Sequence, residues 1–154
     1  MSDTAFANDT VNQITLGGKR FNKSVNGEFI GAIDSPVNVI IVNAAKLART
    51  YYKDEYDPKS PSAPTCWSPD TQVPSADVPT DQIQAARCMD CPQNIKGSGQ
   101  GESRACRFSQ RLAILLEGQM DTIYQIRIPA TSIFGKAKDG DMGMQAYAKY
   151  LHKH

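Results

Sequence analysis

The chain has 154 residues, enough for one domain or one domain carrying a large insertion, and its 40% apolar and 21% charged content suits a soluble globular protein. A formal net charge of +1 with a pI near 7.6 excludes recognition of a partner by bulk charge and leaves only local clusters to do it. No apolar run approaches the roughly 18 residues that a membrane span needs, and Met1-Ser2-Asp3-Thr4 lacks the basic and apolar segments of a signal peptide.

Residues 1–12 are polar and read as a flexible N-terminus. Strand signals begin at Gln13-Ile14-Thr15-Leu16, and Gly17-Gly18 marks a turn or bulge. Lys19 to Val25 and Glu28 to Ile33 flank Asn26-Gly27, the strongest short hairpin signal in the chain. After Pro36, Val37 to Val42 is rich in β-branched residues and reads as a buried strand, and Asn43 to Tyr52 continues as strand or a short helical turn.

From Asp54 to Asp81 the character changes. Prolines stand at 58, 61, 64, 69, 74 and 79, acids outnumber bases, and no period is visible. A long structureless loop is unusual inside a compact domain unless something ties it. Ile83 to Arg87 reads as one helical turn, and Pro92 to Arg104, with Gly97, Gly99 and Gly101, as a second irregular loop. Regular structure returns at Cys106. Arg107 to Leu116 mixes apolar and basic residues, Gly118 turns the chain, and Thr122 to Ile128 alternates until Pro129 stops it. In that alternation Thr122, Tyr124, Ile126 and Ile128 share one face. Met142 to Leu151 predicts a helix with Met144, Tyr147, Ala148 and Leu151 on one side.

The tie is offered by four cysteines, Cys66, Cys88, Cys91 and Cys106, spaced C-x21-C-x2-C-x14-C. Four thiolates satisfy a tetrahedral Zn²⁺, and the knuckle Cys88-Met89-Asp90-Cys91 lets two sulfurs reach one metal from a tight turn stiffened by Pro92. The expected compartment is the cytoplasm, where reduced thiols favour a metal over disulfides. Two disulfides or unrelated buried thiols stay open as alternatives, as does an iron–sulfur cluster, although its usual spacings are absent. A closed four-cysteine site leaves no coordination position for chemistry. The two histidines, His152 and His154, sit at the C-terminus, and the carboxylates show no paired placement, so the expectation is a non-catalytic protein.

Basic and aromatic residues interleave in three places. Lys46, Arg49, Tyr51, Tyr52 and Lys53 form one group; Lys96, Arg104, Arg107, Phe108 and Arg111 another beside the knuckle; Lys19, Arg20, Phe21 and Lys23 a third on the first hairpin. Rings stack on unpaired bases while Lys and Arg track phosphates, which makes the first two groups, with Trp67, candidate nucleic-acid contacts. Gly97-Ser98-Gly99-Gln100-Gly101 lacks the Lys-Ser/Thr of a phosphate-binding loop; it reads as a flexible connection, or as backbone amides near a phosphate.

Several strings occur together: Val-Ile-Ile-Val-Asn-Ala-Ala (39–45), Arg-Thr-Tyr-Tyr (49–52), Tyr-Asp-Pro (56–58), Ala-Pro-Thr-Cys-Trp-Ser (63–68), Cys-Met-Asp-Cys-Pro-Gln-Asn-Ile-Lys-Gly-Ser-Gly-Gln-Gly (88–101), Arg-Ala-Cys-Arg (104–107) and Pro-Ala-Thr-Ser-Ile-Phe-Gly (129–135). Over about residues 13–151 the chain resembles a family of tailed-bacteriophage proteins, some described as single-stranded DNA-binding proteins. That resemblance implies single-stranded DNA as partner, phage replication proteins beside it, and the cytoplasm of an infected bacterium as location. Two departures stand out. Family members continue past the position of Leu151 with strand-like sequence. Phage single-strand binders usually end in an acidic tail, whereas this chain ends in Lys149, His152, Lys153 and His154.

The expectation is therefore a mainly β protein, a small antiparallel oligonucleotide-binding-type barrel with a C-terminal helix. Residues 1–154 form a single domain in which 54–106 is an inserted, zinc-tied, loop-rich subdomain. The expected function is single-stranded DNA binding in replication or recombination. The alternative is a zinc-stabilised protein-interaction module, acting as a replisome adaptor or a host-enzyme modulator.

Overall fold

The computed structural model describes residues 12–17, 20–34, 36–55, 57, 59–60, 62–135 and 141–153. Residues 1–11, Lys19, Tyr56, Pro58, Pro61 and His154, which entered the expectations above, lie outside the described residues. The fold is mainly β, with eight strands in one open, mixed sheet and two helices near the C-terminus. The chain divides into two compact units, residues 1–45 with 110–128 and residues 46–109 with 129–154.

The first unit holds β1 (Asn12–Gly17), β2 (Arg20–Val25), β3 (Glu28–Ile33), β4 (Val39–Ala44) and most of β7 (Cys106–Leu116) and β8 (Gln119–Pro129). Asn26-Gly27 makes the hairpin turn between β2 and β3, with φ of 51° and 84°, both in the left-handed region that a tight primed turn demands. A bulge follows, because Gly31 pairs with Lys23 while Phe29 pairs with Ser24. β1 pairs antiparallel with β2 but parallel with β8, through Gln13 with Gln125 and Ile14 with Ile126. That parallel pairing departs from the expected all-antiparallel order. The ladder runs from β3 at one end to β6 at the other, an open sheet among the described residues.

The core of this unit is the middle of the chain's longest hairpin. Leu112, Ala113 and Ile114 are consecutive and all buried, so β7 is covered on both faces there, which explains its unbroken apolar run. Tyr124 and Ile128 of β8 are buried as the alternation predicts, and Ile14 joins them. The Tyr124 hydroxyl donates to Gln119 Oε1 at 3.0 Å, which satisfies its polar end.

β4 corrects an expectation. It forms as a strand, but Val39, Ile40, Ile41 and Val42 are 40, 51, 37 and 40% exposed, not buried. β-branched residues favour an extended backbone wherever it lies; burial requires another layer on the strand. Among the described residues β4 pairs only with β7, through Val39–Ile41 and Asn43–Ala44.

The second unit holds β5 (Ala48–Tyr51), β6 (Cys66–Ser68), the start of β7, and the helices α1 (Ala130–Phe134) and α2 (Met144–Lys153). The insertion expected over 54–106 falls inside it. Between β6 and β7 the chain has no strand, only single 3-10 turns at Thr80–Gln82, Cys88–Asp90 and Pro92–Asn94. α2 forms where its period predicts, with no buried residue. α1 went unpredicted: Pro129 stops β8, and its fixed φ suits the residue before a helix.

The difference between β4 and the β7 core is measurable. Ile114→Ala should lower unfolding free energy by about 2–5 kcal/mol. Ile40→Thr should change it by less than about 0.5 kcal/mol, as exposed positions do. Urea unfolding of both variants checks the pair.

Candidate metal centre and the sheet that carries it

The second unit is organised by a short three-stranded ribbon, β6–β5–β7. Tyr51 of β5 stands opposite Cys66 of β6 on one side and opposite Cys106 of β7 on the other. One register back, Thr50 stands between Trp67 and Arg107, and one further Arg49 stands between Ser68 and Phe108. Residues directly opposite share a face, and neighbours along a strand alternate. One face therefore carries Cys66, Tyr51, Cys106, Arg49, Ser68 and Phe108. The other carries Trp67, Thr50 and Arg107 in a row.

The knuckle is brought onto the cysteine face by the proline-rich loop. Asp70 builds the first turn: its Oδ1 accepts from the Ser68 hydroxyl at 3.0 Å and from the backbone amides of Gln72 and Val73 at 2.8 and 3.3 Å. Thr71 inside that turn has a φ of 66°. The turn presents the Gln72 carbonyl, which accepts from the Cys88 amide at 2.9 Å. The outer edge of β6 is covered where the Ser75 amide donates to the Trp67 carbonyl at 2.8 Å. Inside the knuckle the Cys91 amide donates to the Cys88 carbonyl. Asn94 Nδ2 donates to that same carbonyl at 3.1 Å.

All four cysteines line one cavity of about 20 Å³, together with Arg49, Tyr51, Trp67, Ser68 and Asn94. That is room for one water-sized body. Cys66 is buried, the other three are half-buried, and none is in a disulfide. As placed, the thiols share the cavity without closing on one point; among the described residues no three His, Cys, Asp or Glu side chains are arranged to grip an ion. The four are nonetheless electrostatic neighbours. Burial pushes the Cys106 thiol up to about 11; Arg49 pulls it down, and Cys91, Cys88 and Cys66 push it up further.

Arg49 is the other member of this cluster. It is only 9% exposed. One terminal nitrogen donates to Asn94 Oδ1. The guanidinium lies over the Phe108 ring at 3.9 Å, and Phe134 meets that ring edge-on at 5.3 Å. Its Nε is buried without a hydrogen-bond partner among the described residues.

These placements divide the expected nucleic-acid contacts. Arg49, Phe108 and Tyr51 belong to the cysteine face; Arg49 is buried, and half-buried Phe108 is held between it and Phe134. The packing of Phe108 takes the guanidinium inward, which its sequence neighbours do not announce. Lys46, Tyr52, Lys53, Lys96, Arg104 and Arg107 are exposed, and Trp67, which alternates with the cysteine face yet also borders the cavity, is half-exposed. Lys96 is paired with Glu102 at 3.1 Å. Arg111 is exposed and lies on the portion of β7 that belongs to the first unit.

The glycine loop is not an open nest of amides. The amides of Gly97 and Gly99 both donate to the Ser103 carbonyl at 3.0 Å, and Ala105 donates to the Ser98 hydroxyl at 3.0 Å. A side chain at Gly99 would meet Ser103 Oγ at 2.7 Å and backbone at 3.0 Å, so glycine lets this loop fold on itself. Asn94 and Asp70 hold the loops around the cysteines, and the sequence reading passed over both. The Asp70 turn carries a signal, an acid two and three residues before the amides it caps; Asn94 carries none beyond its closeness to the knuckle.

Asp70 also sets a pH dependence. The Gln72 and Val73 amides, then the Ser68 hydroxyl, hold its carboxyl below the ordinary 3.8. A depressed folded value means that the turn's contribution is complete above the ordinary value and is lost as pH falls through the lower one. Protection of the Cys88 amide from hydrogen exchange, relative to an unstructured chain at the same pH, should be high at pH 6 and fall as Asp70 protonates, and Asp70→Asn should lower it already at pH 6. No protein-family profile, curated protein or solved structure matches this chain.

Proposed function

We propose that the protein is a non-catalytic single-stranded DNA-binding protein whose second unit is organised by a tetrathiolate zinc centre. The observation that carries the binding reading is the row Trp67–Thr50–Arg107 on the ribbon face opposite the cysteines. It sets an aromatic ring, a small hydroxyl and an exposed cation across three adjacent strands. Exposed Tyr52 follows β5 directly. Lys53, Arg104 and Arg107 carry no ion pair among the described residues. Unpaired bases would stack on Trp67 and Tyr52 while these cations meet phosphates. Such a platform needs a rigid sheet; the closed five-stranded barrel of the oligonucleotide-binding type remains the finer form of this proposal. The resemblance to phage proteins supports replication or recombination intermediates, in an infected bacterial cytoplasm, as the setting.

The donor chemistry of the residues supports zinc, although as placed the four thiols do not close on one point. Four unoxidised cysteines border one small cavity, and a buried cation sits among them. Cys66, Cys88, Cys91 and Cys106 would hold the ion, which supplies folding energy to a unit whose loops bury little apolar surface. With all four positions taken by sulfur, the centre fastens the knuckle to the ribbon that carries the binding row.

The exposed apolar strand β4 favours a second reading, a zinc-stabilised module that docks another protein, because such a run on an edge strand offers a pairing surface. Fluorescence anisotropy of labelled oligo-dT separates the two. The first reading predicts binding that weakens steeply with salt, with a slope that falls by about 0.7 on loss of one phosphate contact, as in Arg107→Ala. Trp67→Ala should cost about 1–3 kcal/mol. Cys88→Ser touches no DNA contact, yet should release zinc and weaken binding. No anisotropy change at micromolar protein, with capture of a partner protein instead, would sink the first reading in favour of the second.

A further inference from the structure

A buried arginine needs somewhere to spend its charge. Removing a guanidinium from water costs several kcal/mol unless opposite charge or hydrogen bonds replace the lost hydration. The bonds described for Arg49 leave that need unmet. One terminal nitrogen has the Asn94 carboxamide oxygen, the plane has the Phe108 ring, and Nε has nothing. No carboxylate forms an ion pair with it among the described residues. All of this happens on the wall of the cavity that the four cysteines line.

The electrostatics run the other way for the cysteines. A Zn²⁺ held by four thiolates is a dianionic centre, and protein-bound sulfurs of that kind are stabilised by N–H donors and cations just outside the ligand shell. Arg49 shares a ribbon face with Cys66 and Cys106, two residues along β5 from the position opposite both. Through Asn94 it is also tied to the knuckle, since Asn94 Nδ2 bonds the Cys88 carbonyl while Asn94 Oδ1 accepts from Arg49.

We propose that Arg49 is the charge-compensating positioning residue of the metal centre: its free Nε–H donates to a coordinated thiolate, and its guanidinium offsets the negative charge of the four-sulfur complex. This inference rests on the zinc reading above and deepens it. It assigns Arg49 away from DNA, and it turns Phe108 and Asn94 into the two holders that keep the guanidinium aimed at sulfur. It also means that the cysteine cluster and the cation are mutually dependent. Each is a buried charge that the other makes tolerable.

Cobalt(II) in place of zinc reports on the sulfurs directly through the thiolate-to-metal charge-transfer band. Losing a donor and a positive charge raises the energy of the sulfur electrons, so Arg49→Gln should move that band to lower energy. The same variant should lose zinc to EDTA about 10–100 times faster than the wild type. Arg49→Lys keeps the charge but has no Nε–H, and should shift the band in the same direction by less. Phe108→Leu removes a holder and no charge, and should shift the band in the same direction by less than Arg49→Gln does. Should Arg49→Gln lose its native circular dichroism, the Arg49→Lys band decides. An unmoved band in the folded Arg49 variants overturns the inference while leaving the zinc reading intact. A wild-type protein that takes up cobalt(II) without intense charge-transfer absorption overturns the zinc reading itself, and this inference with it.

Discussion

The register of β5 is the constraint on which the second unit depends. Because Tyr51 meets Cys66 and Cys106 at the same level, two cysteines far apart in sequence are set on one sheet face, either side of a single residue. Because strands alternate, that register also puts Trp67 and Arg107 on the reverse face, one step along. A slip of β5 by one residue would exchange its own faces, sending Arg49 and Tyr51 to the reverse side and Thr50 to the side of the cysteines. The cysteine face and the row Trp67–Thr50–Arg107 are thus two sides of one short ladder, and neither can be moved without the other.

What keeps so short a ladder in place is polar. β6 has three residues and β5 four, too few to be held by apolar burial alone. The loops that surround them are pinned by named bonds: Asp70 to Ser68, Gln72 and Val73, Gln72 to Cys88, Ser75 to Trp67, and Asn94 to both Cys88 and Arg49. Arg49 reaches across this network from the ribbon. Its burial is costly on its own, and under the proposed zinc centre the four cysteines that line the adjoining cavity would supply the counterweight as thiolates. The first unit is held differently, by the covered middle of β7 and the buried face of β8.

Much of this was legible in the sequence, for reasons that can be named. Asn26-Gly27 specifies its turn because few dipeptides tolerate two successive left-handed residues. The alternation of Thr122 to Ile128 reports a strand with one covered face, and Tyr124 and Ile128 are indeed buried. The cysteine spacing predicts a zinc site; the four cysteines line one cavity, and the ion itself is a proposal. The failures have equally local causes. Val39 to Val42 has strand propensity, but propensity carries no information about what covers the strand. Arg49 looked like one cation among several; its burial follows from Phe108 and Asn94, which lie far along the chain and meet it only through the ladder. The parallel pairing of β1 with β8 joins segments more than a hundred residues apart, for which no local pattern exists.

The zinc centre that we propose has four sulfurs holding one ion. X-ray absorption at the zinc edge of the purified protein measures that arrangement most directly. It should show a single shell of four sulfur atoms at about 2.3 Å with no nitrogen or oxygen in it. A protein without stoichiometric zinc, or a shell in which nitrogen or oxygen replaces sulfur, would contradict the account.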